Sequence, residues 1–357
     1  MKLRYLLLII LILITSVAGC TTDTYSRYTY EFIGAFDTTI QIIGYAKKQK
    51  DFETMADYAY NRFMELHKLF DIYNDYKGIN NIKTINDNAG IKPVKVGKEI
   101  IDLLLSAREW YFKTNGKCNI ALGSVLSIWH EYRNAGIQNP ADAKLPPLSQ
   151  LQEAAKYTDI DKVIINEKES TVYLEDKNMR LDVGAVAKGY STELVVSELL
   201  EKGYDNFAIS SGGNVRVTGK PLTSGRNKWG VGIQDPEGDV HDPDEPSLDI
   251  VYVNDMSVVT SGDYQRTYIV NGKKYHHLID PETLMPAEYF TAVTVICGDS
   301  GFADFMSTTL FLTPYEEGLE LAEKLNVDAV WIFRDGFIRT TPNAKQMMKK
   351  LGGATGN

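Results

Sequence analysis

Two adjacent histidines are the most conspicuous candidates for chemistry, because the whole chain contains only five histidines. His276 and His277 lie in the segment YHHLIDPET (275–283). An imidazole suits proton transfer near neutral pH, and a neighbouring carboxylate can assist it. If the segment is a strand, successive side chains alternate between its two faces, so only one histidine can face a given site. The preceding segment SGDYQRTY could lie across a hairpin from this one. The two segments would then bring together Asp263, Arg266, His277 and Asp280.

A carboxylate and a hydroxyl in the segment GFADFMSTTLFL (301–312) have a spacing that suits a metal site. On a helix, Asp304 and Thr308 lie on the same face, one turn apart, with Ser307 beside them. The rest of this helix is largely apolar, and a polar pair in that setting needs a partner. Oxygen ligands of this kind suit Mg²⁺, which completes its coordination shell with phosphate and water.

Two glycine-containing segments could bring backbone N–H groups close to an anionic ligand. In LDVGAVAKGYSTEL (181–194), Asp182 is predicted to end a strand and Lys188 to open a helix, where a lysine suits phosphate oxygens. In ISSGGNVRV, Gly212 and Gly213 separate two strand-like runs. A plain strand-to-helix turn would resemble the first segment. For the second, taken alone, an ordinary hairpin turn is the favoured interpretation.

The elements that must position these residues are a mixture of helices and antiparallel strands. Hydrophobic residues at helical spacing predict helices over 52–70, 98–114, 187–202, 301–312 and 314–325. Short strands are predicted over 162–176 and from 206 to 297, with hairpin turns at Asn271-Gly272 and Asp335-Gly336. Because helices and strands do not alternate regularly, the pattern predicts an α+β fold with antiparallel sheets and packed helices rather than a doubly wound sheet.

The chain begins with the features of a bacterial export signal. A positive start (MKLRY) and an apolar run (LLLIILILI) precede small residues, and the run is too short for a comfortable membrane span. VAGC resembles a lipobox, in which Cys20 is lipidated and becomes the mature N-terminus; a plain signal peptide with a chance cysteine is the alternative. We therefore expect a lipoprotein signal peptide at 1–19, a lipidated cysteine and tether at 20–28, and one domain at 29–350. The mature protein would be exported and lipid-anchored at the outer face of the bacterial cell membrane.

Composition and motifs argue against several other classes of protein. The formal net charge is −9, and loss of Lys2 and Arg4 with the signal makes it more negative, so nucleic acid is not an expected partner. The sequence has no CxxC or HExxH motif, so a structural or protease-type zinc site has no support. With Cys20 lipidated, Cys118 and Cys297 allow one disulfide but no disulfide framework.

A serine-protease interpretation could start from the segment GDSG (298–301), which matches the nucleophile loop of those enzymes. Such an enzyme also needs a suitably placed histidine and a buried aspartate. His67 falls in a predicted helix, where a surface or edge position is expected, and His130 lacks the required context. GDSG is therefore interpreted as a chance turn.

In their order behind a lipobox, the segments LDVGAVAKGY, SSGGN, YHHLIDPET and ADFMSTT resemble the ApbE family of FAD:protein FMN transferases. The resemblance covers nearly all of the mature chain, from FIGAFDTTIQI to the last hairpin. It implies an α+β domain that holds FAD in a cleft, with Mg²⁺ at the diphosphate. It also implies transfer of FMN from FAD to a Thr or Ser hydroxyl of an acceptor protein, with release of AMP.

Carried over position by position, the resemblance assigns roles to individual residues. His277 corresponds to the family's catalytic histidine, whereas the position of His276 varies. The implied metal ligands are Asp304, Thr308 and the backbone carbonyl of Ala185. The resemblance implies FAD contacts at Phe36, Tyr73, Cys118, Asn119, Asp182, Lys188 and Ile279. The glycine-rich segment adds Gly212 and Gly213.

Three positions differ from the family pattern or vary within it. Ser307 stands where some members have another carboxylate, which leaves its role as a ligand open. Cys118 replaces a usual aromatic residue, and Leu284 replaces the glycine of the family's Asp-Pro-x-Thr-Gly. Neither of these two replacements removes a charged group that the chemistry needs.

Two other functions would use the same cleft. With water in place of the protein hydroxyl, the site would be an FAD pyrophosphatase that yields FMN and AMP. A surface lipoprotein that only binds flavin is the other alternative. His277 and the Asp304/Thr308 pair argue against it, because binding alone requires none of them.

Overall fold

The computed structural model describes residues 24–357 except 224, 237 and 239–246. The predicted signal peptide and Cys20 lie outside these residues. Strand β1 (Ser26–Ala35) pairs with β2 (Thr38–Ala46) from Ser26 onward, so the last residues of the predicted tether belong to a sheet. Within the described part of the chain, no helix has the length and apolar character needed to cross a membrane.

The strands form one large sheet and several small ones. The remaining strands are β3 (Val94–Lys95), β4 (Val163–Asn166), β5 (Thr171–Leu174), β6 (Phe207–Ser211), β7 (Asn214–Val217), β8 (Trp229–Ile233), β9 (Asp249–Val253), β10 (Ser257–Gly262), β11 (Tyr268–Val270), β12 (Lys273–Tyr275), β13 (Phe290–Cys297), β14 (Asp328–Phe333) and β15 (Ile338–Thr340). The large sheet has eight strands in the order β1-β2-β6-β7-β10-β13-β14-β15, and every neighbouring pair is antiparallel. The small sheets are β3-β5-β4, β8-β9 and β11-β12.

Ten α-helices are described between and beyond these strands. They are α1 (Gln49–Phe70), α2 (Ile82–Asp87), α3 (Lys98–Lys113), α4 (Gly123–Gln138), α5 (Leu148–Ala155), α6 (Ala187–Glu201), α7 (Ser300–Phe311), α8 (Tyr315–Lys324), α9 (Pro342–Met347) and α10 (Lys349–Gly352). The chain stays packed beyond the predicted domain end at 350, because the Gly356 carbonyl accepts hydrogen bonds from the Asn227 and Lys228 N–H groups.

The large sheet is buried on both faces, as its central strand β13 shows. Val293 and Val295 belong to the core beneath α1, α6 and α7. Ala292 and Ile296, which point to the opposite face, belong to a second core with residues of β8, β9 and α9. This two-sided burial explains why β13 is a nearly continuous apolar run rather than an alternating one.

Helix α7 carries the predicted metal ligands and is itself part of the core. Every residue except Phe302 is buried, because the helix lies against β10 and β13 on one side and α6 on another. The Asp299 side chain caps it by accepting a 2.7 Å hydrogen bond from the Phe302 N–H. The GDSG segment is therefore a helix cap, which agrees with its rejection as a protease motif.

The α+β prediction is confirmed, and each predicted helix and both hairpins are found within a few residues of the expected places. Two local predictions are wrong. Asp182 does not end a strand: it lies in an extended segment, where Arg180 forms only an isolated bridge to Leu122. The two histidines are not in a strand either, because β12 ends at Tyr275.

Candidate active site

A cavity of about 430 Å³ lies between the N-terminus of α6, α7 and the loops that follow β10 and β12. Most predicted site residues line it although they are far apart in the sequence: Phe36, Tyr73, Cys118, Asn119, Asp182, Ala185, Lys188, Gly212, His277, Ile279, Asp304 and Thr308. Gly213 is not among the lining residues, and Cys20 lies outside the described chain. The fold thus assembles the sequence motifs into one site.

Gly212 and Gly213 form the two-residue turn between β6 and β7. Both have positive φ angles, 53° and 89°, which the turn of a tight hairpin requires. The hairpin interpretation of this segment is therefore right, and Gly212 in addition reaches the cavity. A side chain at Gly212 would collide with Thr38, because a Cβ there would lie 2.1 Å from the Thr38 hydroxyl oxygen.

Asp304 is a buried carboxylate that opens onto the cavity. Its Oδ2 accepts a 2.8 Å hydrogen bond from the Gly189 N–H, and its Oδ1 lies 3.3 Å from Lys188 Nζ. Gly189 permits this approach of α6 to α7, since a Cβ there would lie 2.4 Å from Asp304 Cβ. Ser307 is fully buried and donates to the Asp304 carbonyl, so its hydroxyl is not directed into the cavity.

The oxygen atoms around Asp304 are of the chemical type that Mg²⁺ prefers. Thr308 lines the same cavity one turn along α7. Ala185 lines it as well, and its carbonyl accepts no hydrogen bond from the described residues. No cluster of three or more His, Cys, Asp or Glu side chains in the described residues could hold a metal. One carboxylate with neutral oxygen ligands is a donor set that suits Mg²⁺, which keeps positions free for phosphate and water.

His277 is held as a neutral base at the cavity wall. Its Nδ1 lies 3.2 Å from the Gln265 carbonyl, which can only accept, so Nδ1 carries the proton and Nε2 keeps its lone pair. Burial, the cations Arg266 and Arg133, and the neighbouring His276 lower the pKa of His277 to about 3. The imidazole of the free protein is therefore uncharged at neutral pH.

His276 points away from the cavity and joins two backbone segments. Its Nε2 donates to the Ala287 carbonyl at 2.9 Å, and its Nδ1 accepts from the Leu278 N–H at 3.2 Å. The ring also packs edge-on against Phe311 at 5.6 Å. The structure separates the two histidines as expected, although strand alternation is not the reason.

The predicted convergence of two aspartates with His277 is wrong. Of the four residues expected to converge, only Arg266 and His277 line the cavity, whereas Asp263 and Asp280 do not. Asp280 is buried and accepts from the Glu282 N–H at 2.9 Å, which stabilises the turn after the histidines. Asp263 is buried as well, with Arg334 as its nearest cation at 3.4 Å.

Tyr73 stands at the cavity on a loop that a buried aspartate organises. The Asp71 carboxylate accepts from the backbone N–H groups of Tyr73 and Asn74, from the Asn74 side chain and from the Tyr76 hydroxyl. Although burial acts to raise it, these hydrogen bonds lower the pKa of Asp71. The carboxylate thus stays ionised and fixes the loop that presents Tyr73.

His130 is a cavity residue that the sequence reasoning set aside. Its Nδ1 lies 2.9 Å from the Tyr73 hydroxyl, and its Nε2 lies 3.9 Å from Asp182 Oδ2. Burial lowers the pKa of His130 while Asp182 acts to raise it. The available signal was the apolar spacing of Val125 and Trp129, which indicates a helix that could carry His130 on its free side.

His67 also contributes to the cavity rather than to the surface. Its Nδ1 accepts a 3.2 Å hydrogen bond from the Phe36 N–H, and the two rings meet edge-on at 5.6 Å. Phe36 needs this support because its φ is +56°, in the left-handed region that non-glycine residues rarely adopt. His67 is half-buried, as an edge residue would be, but its place at the cavity was not predicted.

Cys118 and Cys297 are both buried free thiols, so the disulfide that they could form is absent. Burial raises the pKa of the Cys118 thiol, which keeps it neutral beside Asp304 and Asp182. The Asn119 amide is engaged with the backbone, since it donates to the Thr158 carbonyl and accepts from the Ala121 N–H. Both residues therefore shape the cavity wall.

Leu284, which replaces the family glycine, adopts the glycine conformation. Its φ is +61°, its N–H donates to the Asp280 carbonyl at 2.8 Å, and its own carbonyl accepts from Trp129 Nε1 at 3.0 Å. A leucine in this region is strained. Burial of the side chain in the core around α4 offsets the strain.

Comparisons with known proteins agree with this fold. The model of the ApbE family matches residues 36–331. The FAD:protein FMN transferase of Treponema pallidum is 33% identical over 283 residues, which are 76% of this chain and 75% of that protein. The protein of the same name from Klebsiella pneumoniae is 28% identical over 278 residues, which are 77% of this chain and 82% of that protein.

A solved structure shows the same architecture. The crystal structure of the ApbE protein from Thermotoga maritima superimposes with a TM-score of 0.76 at 25% sequence identity. The match covers 90% of this chain and 99% of that one. Because the family model spans most of the chain and the relatives agree over three quarters of it, this chain belongs to the ApbE family.

Proposed function

We propose that this protein is an FAD:protein FMN transferase, which uses Mg²⁺, attaches FMN to a Thr or Ser hydroxyl of an acceptor protein and releases AMP. The observation that carries the proposal is the position of His277, which shares one cavity with Asp304, Thr308 and Lys188 and whose Nδ1 lies 3.2 Å from the Gln265 carbonyl, an arrangement that leaves Nε2 as the base. Binding of a flavin nucleotide would need neither a free base nor a buried carboxylate. A transfer to a hydroxyl group needs both.

The chain's own residues account for the binding of FAD in this cavity. Lys188, at the start of α6, can donate to phosphate oxygens, and the nearby helix N-terminus favours negative charge. Tyr73 and Phe36 provide aromatic surface at the wall, each held in place by a histidine. Asp304, Thr308 and the Ala185 carbonyl would hold Mg²⁺, which neutralises charge on the diphosphate when bound.

The reaction that fits this arrangement is a phosphoryl-type transfer. The acceptor hydroxyl oxygen forms a bond to the FMN phosphorus, and the bond from that phosphorus to the bridging oxygen breaks. His277 Nε2 takes the hydroxyl proton, and the bridging oxygen leaves with AMP. Because His277 is uncharged at neutral pH, it can act as this base without a prior deprotonation step.

We also infer that the protein works outside the cytoplasm, attached to a membrane by a lipid on Cys20. Support comes from the N-terminal sequence, with its apolar run and VAGC lipobox. The acceptor would then be another exported or membrane-bound protein.

An assay of the products distinguishes the three candidate functions. The protein is incubated with FAD and Mg²⁺, with and without candidate acceptor proteins, and AMP and free FMN are separated by chromatography. A transferase releases AMP only when an acceptor is present, and free FMN does not accumulate. Equal amounts of AMP and free FMN without acceptor would indicate a pyrophosphatase, and unchanged FAD under all conditions would indicate a flavin-binding protein.

A further inference from the structure

The loop after β10 connects His277 to a group of charged residues outside the cavity. Asp263 is 4% exposed and does not line the cavity. Its Oδ2 lies 3.4 Å from Arg334 Nη2, and its Oδ1 lies 3.7 Å from Lys274 Nζ. Its N–H donates to the Thr291 carbonyl of β13 at 2.9 Å. Asp263 is thus fixed to the sheet and to two cations.

The energetics of Asp263 do not favour a purely stabilising role. Oδ1 is buried without any hydrogen bond from the described residues, and neither cation is closer than 3.4 Å. A buried carboxylate that is incompletely paired loses more in desolvation than it gains from its partners. A fold that keeps such a cost points to a positional requirement at this end of the loop.

The same loop is strained where it meets His277. Arg266 has a φ of +47°, which is rare for a residue with a side chain. Between it and Asp263, the Tyr264 ring packs against the second core and Gln265 presents its carbonyl to His277 Nδ1. The loop is therefore held at one end by the Asp263 ion pairs while its other end is forced toward the histidine.

We propose that Asp263 is a positioning residue for His277. Its ion pairs with Arg334 and Lys274 fix the Gln265 carbonyl, and that carbonyl keeps the His277 proton on Nδ1. The Nε2 lone pair then faces the cavity in every molecule. This inference rests on the proposed function, because His277 is the base in that reaction.

The groups around His277 make this single hydrogen bond decisive. The neighbouring groups that act most on its charge are Arg266, His276 and Arg133. The two arginines are cations and cannot accept an imidazole proton. His276 cannot accept one either, because its Nε2 donates to the Ala287 carbonyl and its Nδ1 already accepts from the Leu278 N–H. The Gln265 carbonyl is the acceptor that the structure provides. An imidazole freed from it would populate both tautomers, because the partner of one nitrogen sets the proton position.

The first test measures the histidine directly and does not depend on catalysis. The full chain is prepared with ¹⁵N-labelled histidine, and the tautomer of each of the five histidines is read by NMR. Single replacements assign the signals. We expect His277 with its proton on Nδ1, and in the Asp263→Asn variant a mixture of both tautomers. A single Nδ1–H tautomer in that variant, or an Nε2–H tautomer in the wild type, would overturn the proposal.

The second test measures FMN transfer by the same variants. Asp263→Asn should lower kcat by up to about 10²-fold, as expected when a reacting group is misplaced, with FAD affinity unchanged within about twofold. Arg334→Lys keeps a cation and should retain most of the rate. If Asp263→Asn does not fold, Arg334→Gln replaces it in both tests. Unchanged kcat in the folded variant would overturn the positioning role.

Glu198→Gln is the matched control. Glu198 pairs with Arg62 at 2.9 Å between α1 and α6, away from the cavity. It should lower stability without changing the His277 tautomer or kcat; a change in either readout would show that Asp263 acts only through general stability. If His277→Ala is fully active while Asp263→Asn shifts the tautomer, the proposed base is wrong and the positioning contact is right.

Discussion

Lys188 Nζ lies 3.3 Å from Asp304 Oδ1, so a cation already contacts the proposed metal ligand in the free protein. Removal of the carboxylate would therefore leave a lysine and the Gly189 N–H without their partner. The proposed binding of Mg²⁺ and the local packing of α6 on α7 therefore involve the same side chain. A useful test must separate these two effects.

Asp304→Asn makes this separation, because an amide oxygen can still accept the Gly189 hydrogen bond while it is a poor ligand for Mg²⁺. We expect transfer to fall by about 10²-fold or more, the scale of losing a group that stabilises developing charge, with thermal unfolding little changed. Mg²⁺ titrations of the rate measure the effect. Thr309→Val, on the same helix but not at the cavity, is the control. Full activity of Asp304→Asn at sub-millimolar Mg²⁺ would place the metal elsewhere.

His277→Ala should remove the base and lower transfer by about 10²- to 10⁴-fold, with FAD affinity little changed. His276→Ala should act mainly on stability, because it leaves the Ala287 carbonyl and the Leu278 N–H without their partner, at about 1–3 kcal/mol for each buried group. Transfer rates at saturating FAD and urea unfolding of both variants test the pair. If the His276→Ala variant is stable but has lost most of its transfer activity, His276 is the base and His277 is not.

The pKa of His277, near 3, predicts the pH dependence of the free enzyme. The pH at which kcat/KM falls on the acid side should lie well below the ordinary histidine pKa of about 6.5, because the base stays unprotonated until the pH approaches its own lower pKa. A limb at or above pH 6.5 would contradict the assignment.

The same depressed pKa affects stability with a defined sign. Between about pH 6.5 and pH 3 the unfolded chain binds a proton at this residue that the folded chain does not. Stability from the neutral histidine is therefore complete above pH 6.5 and is lost as the pH falls toward 3. Between pH 7.5 and pH 5.5, the free energy of unfolding measured in urea should fall more for the wild type than for His277→Gln. Equal losses in the two proteins would contradict this prediction.

Leu284 offers a test of strain against burial. Leu284→Ala loses buried contacts, typically about 2–5 kcal/mol, and keeps a side chain at φ +61°. Leu284→Gly loses the same contacts but relieves strain of about 1–2 kcal/mol. We therefore expect both variants to be less stable than the wild type and the glycine variant to be the more stable of the two. The opposite order in urea unfolding would mean that the left-handed conformation is not strained.

The sequence predicted those parts of the fold whose signals are local. The apolar spacing of α1 and the Asn271-Gly272 turn each determine an element from a few neighbouring residues. The motif segments also contain most of the predicted residues that line the cavity, but they lie on a hairpin turn, two helices and a loop that only the tertiary fold brings together. A segment such as the one around Asp182 gave a wrong strand, because an extended chain without a partner strand has the same pattern.

The orientation of side chains depended on contacts that no local pattern contains. His276 is held by the Ala287 carbonyl, which lies beyond the following turn, and by Phe311, which lies on α7. His130 reached the cavity because α4, which was not predicted, packs beside the Tyr73 loop. Asp263 was expected near His277, but its nearest cation is Arg334, which lies more than seventy residues away and after four further strands.

The most direct test of the central claim is peptide mass spectrometry of an acceptor protein after incubation with this protein, FAD and Mg²⁺. We expect FMN in a phosphoester at one Thr or Ser of the acceptor, with the modification absent when Mg²⁺ is chelated and strongly reduced with His277→Ala. Complete modification by His277→Ala, or conversion of FAD to free FMN and AMP while every acceptor peptide stays unmodified, would contradict the account.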